Sequence, residues 1–489
     1  MTRMDSHDPD SFSCQTSRRQ FFGHAGVALG SIAFAALDRS SAVAKSDTAP
    51  QGTDNGLPGP LAPKPPHFKP RAKNVIYLFM MGGPSQVDLY DYKPNLNKFT
   101  GDPIPPSYLE GVHFEQIREA KPKILGTPYS FERCGESGGW VSDRLPYGKK
   151  IIDELAFIRT IETEESVHPF AQHLLFTGLR IAGRPSLGSW VTYGLGSDAR
   201  DLPGFVVLLR GGVPQAHDGI QSHGFLPSSY SGVQFRNRGA PILNLEDPKG
   251  VTRRDTARVL DAVRKLNRKR FELTGDPEIT SRIASYELAY KMQASAPGLL
   301  DLGGESKKTL DLYGVEDGKP SFARDCLMAR RLVERGVRFV QVALCDWDHH
   351  GDIYKNFPPL VAKMDQPCAA LIQDLKQRGM LDDTLVVWGG EFGRTPVAQP
   401  QKKAKIGRDH HIKAFTMWMA GGGVRGGANV GETDDLGMRP VERPLHIHDV
   451  QATILHALGL DHEKLTYEYQ GRDFRLTDVY GNVIHEIFA

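Results

Sequence analysis

The chain has no excess of charge, no paired cysteines and no uninterrupted membrane-length apolar run, and each of these lacks removes a class of function. Its 60 Lys and Arg residues against 58 Asp and Glu leave a formal charge of +2 over 489 residues, so no global field draws it to nucleic acid or to an anionic membrane. The five cysteines, Cys14, Cys134, Cys326, Cys345 and Cys368, are scattered without C-x-x-C spacing, which argues against a disulfide framework and against a zinc ribbon. No G-x-S-x-G elbow, Walker loop or dinucleotide fingerprint stands out, and there is no internal repeat. What is abundant is glycine, 51 residues, above the usual share of about 7%, as expected of a chain with many tight loops.

The first 44 residues read as a targeting segment. Ser17-Arg18-Arg19-Gln20-Phe21-Phe22 pairs two arginines with aromatic residues, an uncharged small and apolar run reaches Leu37, and Ala42-Val43-Ala44 offers an A-x-A cleavage site. This resembles a twin-arginine export signal, which implies a periplasmic or extracellular protein. The run is too short and too rich in glycine for a stable membrane anchor. Residues 45–73 are rich in proline, glycine and polar residues and read as a linker, so one folded domain is expected over 74–489.

Within that domain, short β-branched apolar runs alternate with helical patterns. Strands are expected at 75–81, 155–161, 205–209, 337–344, 384–388 and 415–420, and a short helix-like stretch at 169–176. Helices are expected over 252–293, 322–335 and around 360–375. Helix and strand in alternation imply parallel pairing with crossover helices, hence an α/β sheet. The many basic residues of 252–293 are interspersed with acidic ones, so this stretch reads as a solvated helix face rather than a nucleic-acid surface.

Chemistry gathers where strands end or begin. Asp346, Asp348 and His350 follow one strand, Glu391 and Arg394 follow the next, and Arg408, Asp409, His410 and His411 precede another. Ligands bind at the carboxyl ends of strands in open α/β sheets. Carboxylates and imidazoles converging there are what a divalent metal such as zinc needs, and an arginine nearby would hold an anionic group.

At these residues the chain resembles a known family. The signal S-R-R-Q-F-F, the loop M-G-G-P-S-Q-V-D-L-Y-D-Y-K-P, then W-D-H-H-G-D, then L-D-D-T-L-V-V-W-G-G-E-F-G-R-T-P and G-R-D-H-H are together similar to the exported family called domain of unknown function 1501. That family is grouped with the alkaline phosphatase and sulfatase superfamily. The resemblance therefore implies a three-layer α/β sandwich with a mostly parallel central sheet, and a metal-dependent hydrolase of phosphate or sulfate esters. It further implies metal ligands at Asp348, His350, Glu391 and His410, with His411 as the alternative to His410 and Asp346 and Asp409 as further candidates, while Arg394 and Arg408 would hold the anion.

The chain also departs from the superfamily. Phe392 follows Glu391 where relatives carry an aspartate followed by histidine. The first-strand loop has Gly82-Gly83-Pro84-Ser85 in place of an aspartate, with Asp88 nearby. Counting back nine residues from Thr177-Gly178 lands on His168, where relatives keep a nucleophile. His168 is thus a nucleophile, a base or a ligand, with Ser166 the nearby hydroxyl. The expected substrate is a small-molecule or saccharide ester. The rival readings are a non-catalytic metal- or anion-binding protein and a metal-dependent isomerase or mutase on the same fold.

Overall fold

The computed structural model describes residues 59–489 apart from 113, 119–120, 211–218, 236–246, 248–249, 317 and 401–404. The expected signal segment and most of the linker lie outside the described residues. Residues 59–73 are laid along the body: Lys64 N–H donates to the Leu195 carbonyl, His67 and Phe68 N–H to that of Gly459, and Arg71 and Ala72 N–H to that of Ala457.

The central sheet starts from β1, Asn74–Met80, which is buried along its whole length. Val75, Tyr77 and Phe79 enter one apolar cluster and Ile76, Leu78 and Met80 the other. A strand covered on both faces needs no polar alternation, which is why it reads as a continuous apolar run. The other sheet strands are β2 (Ala156–Glu162), β3 (Phe205–Arg210), β4 (Val233–Phe235), β5 (Phe339–Leu344), β6 (Thr384–Gly389), β7 (Phe415–Ala420), β8 (Asn429–Val430) and β9 (Leu445–His446).

Their spatial order is β8-β2-β7-β6-β1-β5-β3-β4, with β9 also paired to β2. The block β6-β1-β5-β3-β4 is parallel throughout. Only β7 runs against its neighbours β6 and β2, which departs from a wholly parallel order. The fold is thus the expected three-layer α/β sandwich with a mostly parallel sheet.

On one face lie α1 (His168–Thr177), α2 (Leu187–Leu195) and α7 (Ile447–Ala457). On the other lie α5 (Phe322–Glu334), α6 (Ile353–Gln377) and the end of α4 (Pro277–Leu300). The stretch expected as one helix over 252–293 is two, α3 (Arg253–Thr274) and α4. Gly275 closes α3 in the left-handed conformation at φ +66°, Asp276 caps α4 through its side chain and Pro277 opens it, a stop and a start side by side. No helix among the described residues is long and apolar enough to cross a membrane.

Register decides where the loops emerge. Met80 pairs with Leu344 and Phe79 with Gly389, so β1, β5 and β6 end level and release their loops at one edge. Antiparallel β7 begins at that same edge, which brings residues 408–411 to it. Two stretches that match functional patterns by letter, G-E-S-G-G at 135–139 and G-G-G-V-R-G at 421–426, lie in a hairpin turn and a strand-end turn with no helix following. Neither has the strand-turn-helix setting those patterns require.

Candidate metal centre

Four loops meet at this edge. The loop after β1 contributes Gly82 and Gly83, the loop after β5 contributes Asp348 and His350, and the loop after β6 contributes Glu391 to Arg394. Gly393–Arg394 forms a two-residue antiparallel ribbon with His410–His411, His410 opposite Arg394, which carries His410 back over the sheet. The segment after β2 delivers His168 as the first residue of α1.

The side chains of His168, Asp348, His350 and His410 converge, one ligating atom from each lying within 4.8 Å of every other. Nε2 of His350 is 2.9 Å and Nε2 of His410 3.3 Å from Oδ1 of Asp348, and Nε2 of His168 is 3.4 Å from Oδ2. The other ring nitrogen of each histidine is held by a separate acceptor. Nδ1 of His168 meets Glu391 Oε1 at 2.8 Å, that of His410 the Ser166 carbonyl at 2.6 Å, and that of His350 Oε1 of Gln399 at 2.7 Å. With a cation between the rings and the carboxylate, a proton on each Nδ1 would leave the three Nε2 lone pairs free to ligate it. Nε2 of His168 is buried and makes no hydrogen bond.

This donor set fits a divalent cation. Ligand bonds of about 2.0–2.1 Å at a tetrahedral centre place neighbouring ligand atoms about 3.3 Å apart, close to the N···O separations here. Three imidazoles and one carboxylate, with each imidazole oriented by an outer acceptor, suit zinc.

The electrostatics follow from the same contacts. Burial would raise Asp348, but the imidazoles of His168, His350 and His410 and the charge of Arg394 hold its carboxyl far below the usual range. Burial would lower His168, yet the flanking carboxylates of Asp348 and Glu391 outweigh it and push it up to about 9. Burial and the charges of Arg394 and the other histidines lower His410 against its bond to Asp348.

The remaining residues expected at the site stand around this cluster rather than in it. Glu391 is fully buried, and its carboxylate accepts from Gly82 N–H at 3.1 Å and from Gln172 Nε2 at 3.0 Å as well as meeting His168. Burial would raise Glu391, but the partnership with His168 and Gln172 lowers it. Asp346 has φ +79° and points to solvent. Asp409 accepts from the backbone N–H of Gln116 at 2.6 Å, Ile117 at 3.0 Å and His410 at 2.9 Å.

Arg394 is fully buried; it donates to the carbonyls of Gly82, Gly83 and Arg408 and, at 2.6 Å, to Asp348 Oδ1. Arg408, equally buried, forks onto Asp88 at 2.8 and 3.2 Å and donates to the carbonyls of Leu125, Gly126 and Thr395. Asp88 also accepts from Ser85 at 2.6 Å, and the Ser166 hydroxyl is bonded to Glu115.

Sequence reasoning missed Gln399, Gln172 and Gln116, whose amide nitrogen lies 3.1 Å from Nε2 of His350. Nothing in local sequence marks them, because their roles arise only from which loops the fold brings together. Phe392 packs against the rings of both His410 and His168, at centroid distances of 4.4 and 4.9 Å, and forms an apolar wall. The opening is at Asp348, whose side chain is 42% exposed.

A family model described as a protein of unknown function (DUF1501) matches residues 72–488. Among curated proteins none matches the chain in sequence. In structure it is similar to the lipoteichoic acid synthase LtaP from Listeria monocytogenes, with 11% identity, 85% of this chain and 78% of that one covered, and a TM-score of 0.34. It is similar also to the sulfatase PsFucS1 from Pseudoalteromonas sp. (12% identity, 80% and 69% covered, TM-score 0.34). A third is alkaline phosphatase from the Antarctic bacterium TAB5 (10% identity, 79% and 98% covered, TM-score 0.31). Scores this low say nothing about activity.

Proposed function

The chain belongs to the DUF1501 family of proteins of unknown function, and since that membership brings no activity with it, we propose from the site that the protein is an exported metal-dependent hydrolase of a phosphate or sulfate ester. One divalent metal, zinc by its donor set, is held by His168, Asp348, His350 and His410. The observation that carries this reading is the threefold arrangement in which separate acceptors on Nδ1 turn three Nε2 atoms onto one carboxylate. Such a metal supplies Lewis-acid polarisation of an ester oxygen and lowers the pKa of a water.

The chain's own residues set the frame for that chemistry. Glu391 keeps the proton of His168 on Nδ1, which makes His168 a ligand rather than the nucleophile. Arg394 neutralises one oxygen of Asp348 and ties it to the loop after β1. Phe392 excludes water from the inner side, and the substrate, a small-molecule or saccharide ester, arrives over the exposed edge of Asp348 beside the Gln116 amide. The exported part of this reading rests on the twin-arginine-like segment of the sequence, Ser17-Arg18-Arg19-Gln20-Phe21-Phe22.

A second reading, a non-catalytic metal-binding protein, is favoured by one observation. Arg394 and Arg408, expected to grip the anion, give their hydrogen bonds to protein acceptors, and the Ser166 hydroxyl is engaged by Glu115. Assay of the zinc-loaded protein on aryl phosphates, aryl sulfates and sugar esters separates the two. The hydrolase reading expects turnover that chelation abolishes, zinc restores and Asp348→Asn lacks. Metal-loaded wild type inert on every ester would leave the binding protein.

A further inference from the structure

Away from the metal centre, α3 has the wrong surface for a merely solvated helix. None of its residues is buried, yet Val259, Leu266 and Leu273, spaced by seven, are 60, 66 and 86% exposed. A spacing of seven puts them in one row on the helix, and among the described residues nothing covers that row. The helix carries eight basic residues and three acidic ones, Asp255, Asp261 and Glu272, while the whole chain has a formal charge of only +2. The positive charge is therefore concentrated on this one element of 22 residues, about 33 Å long.

The helical period sets Arg258, Lys265 and Lys269 along one flank of the row and Arg270 along the other. Asp255 and Asp261 are drawn into ion pairs with Arg258, Arg264 and Lys265, and among the described residues Lys269 and Arg270 have no acidic partner.

We propose that the outer face of α3 is a docking surface for an anionic lipid bilayer. A helix with exposed aliphatic side chains in a row and cations beside them lies in the bilayer interface, leucines toward the acyl chains and cations at the headgroups. Charge complementarity selects this occupant. A second copy would set one basic helix against another, and nucleic acid would leave the leucines against phosphates with no apolar partner. The contact is peripheral and reversible, and it is independent of the reading of the metal centre.

Co-sedimentation of the full-length chain with phosphatidylcholine vesicles, with and without phosphatidylglycerol, tests this. Binding is expected to phosphatidylglycerol-containing vesicles and to fall as salt rises. Arg258→Glu with Lys269→Glu is expected to weaken it by at least about 25-fold, since each cation near an anionic surface contributes about five-fold. Leu266→Asn with Leu273→Asn is expected to weaken it without changing the charge. The variants share every other segment with wild type, and neither alters a buried residue, so circular dichroism and metal content are expected to be unchanged. Equal binding to both vesicle types, or equal binding by wild type and variants, would overturn the proposal. So would self-association or nucleic-acid binding through α3 without vesicle binding.

Discussion

Glu391 aims His168 without itself facing the other ligating atoms. Its oxygens accept from Gly82 N–H, Gln172 Nε2 and His168 Nδ1, so Glu391→Gln keeps the shape but sets an NH2 against at least one of these donors. Outer partners of metal-bound histidines typically govern about 10–100-fold of metal affinity. Titration of zinc against a chelating dye is expected to show a loss of that size in Glu391→Gln with the protein still folded. Unchanged affinity would remove Glu391 from any orienting role. The contrast between Asp346 and Asp348 shows what the sequence hides at this scale. Both follow β5 two residues apart, and on an extended chain both would point the same way. The positive φ of Asp346 turns the chain, sending it to solvent and Asp348 into the cluster.

At the scale of elements, the site depends on two loops crossing at Gly82. A Cβ there would lie 2.7 Å from the backbone nitrogen of Asp348 and 3.0 Å from the carbonyl carbon of Trp347, at φ +113°. Because both contacts are backbone, Gly82→Ala must push the β5 loop, and Asp348 with it, away from the histidines. Gly379 is the control: it too has positive φ, +66°, but a Cβ there meets nothing within 4 Å. Strain alone costs on the order of 1 kcal/mol, which is the expected loss in Gly379→Ala by thermal unfolding. Gly82→Ala is expected to lose clearly more stability and also its metal; equal effects would show that the crossing does not matter.

Elements were the most legible level of this chain. Six sheet strands stand within two residues of where periodicity puts them, because strands buried on both faces are bounded by polar and glycine residues. The antiparallel course of β7 was not legible, since pairing direction is decided by the connection after residue 394, a ribbon of only two residues. The break at Gly275-Asp276-Pro277 was written in the sequence as a stop and a start, but the apolar spacing continues across it.

For the molecule as a whole, acid stability offers a test of the packing beneath the site. His411, next to His410, is buried with Nε2 3.0 Å from the Gly437 carbonyl, and burial pulls it down to about 4. The folded state thus keeps His411 neutral between about pH 6.5 and 4 while the unfolded chain takes up a proton. Its contribution is present above pH 6.5 and lost as pH falls toward 4, on the order of 3 kcal/mol in all. In metal-free protein, wild type is expected to lose stability across that window more steeply than His411→Gln, as measured by urea unfolding at each pH; parallel curves would contradict this. The central claim, that four side chains from two loops and a helix terminus form one metal site, is tested most directly by metal content after zinc equilibration and desalting. One zinc per chain in wild type and none in folded Asp348→Asn or His350→Ala is expected. A folded wild type without metal, or variants that retain it in full, would contradict the account.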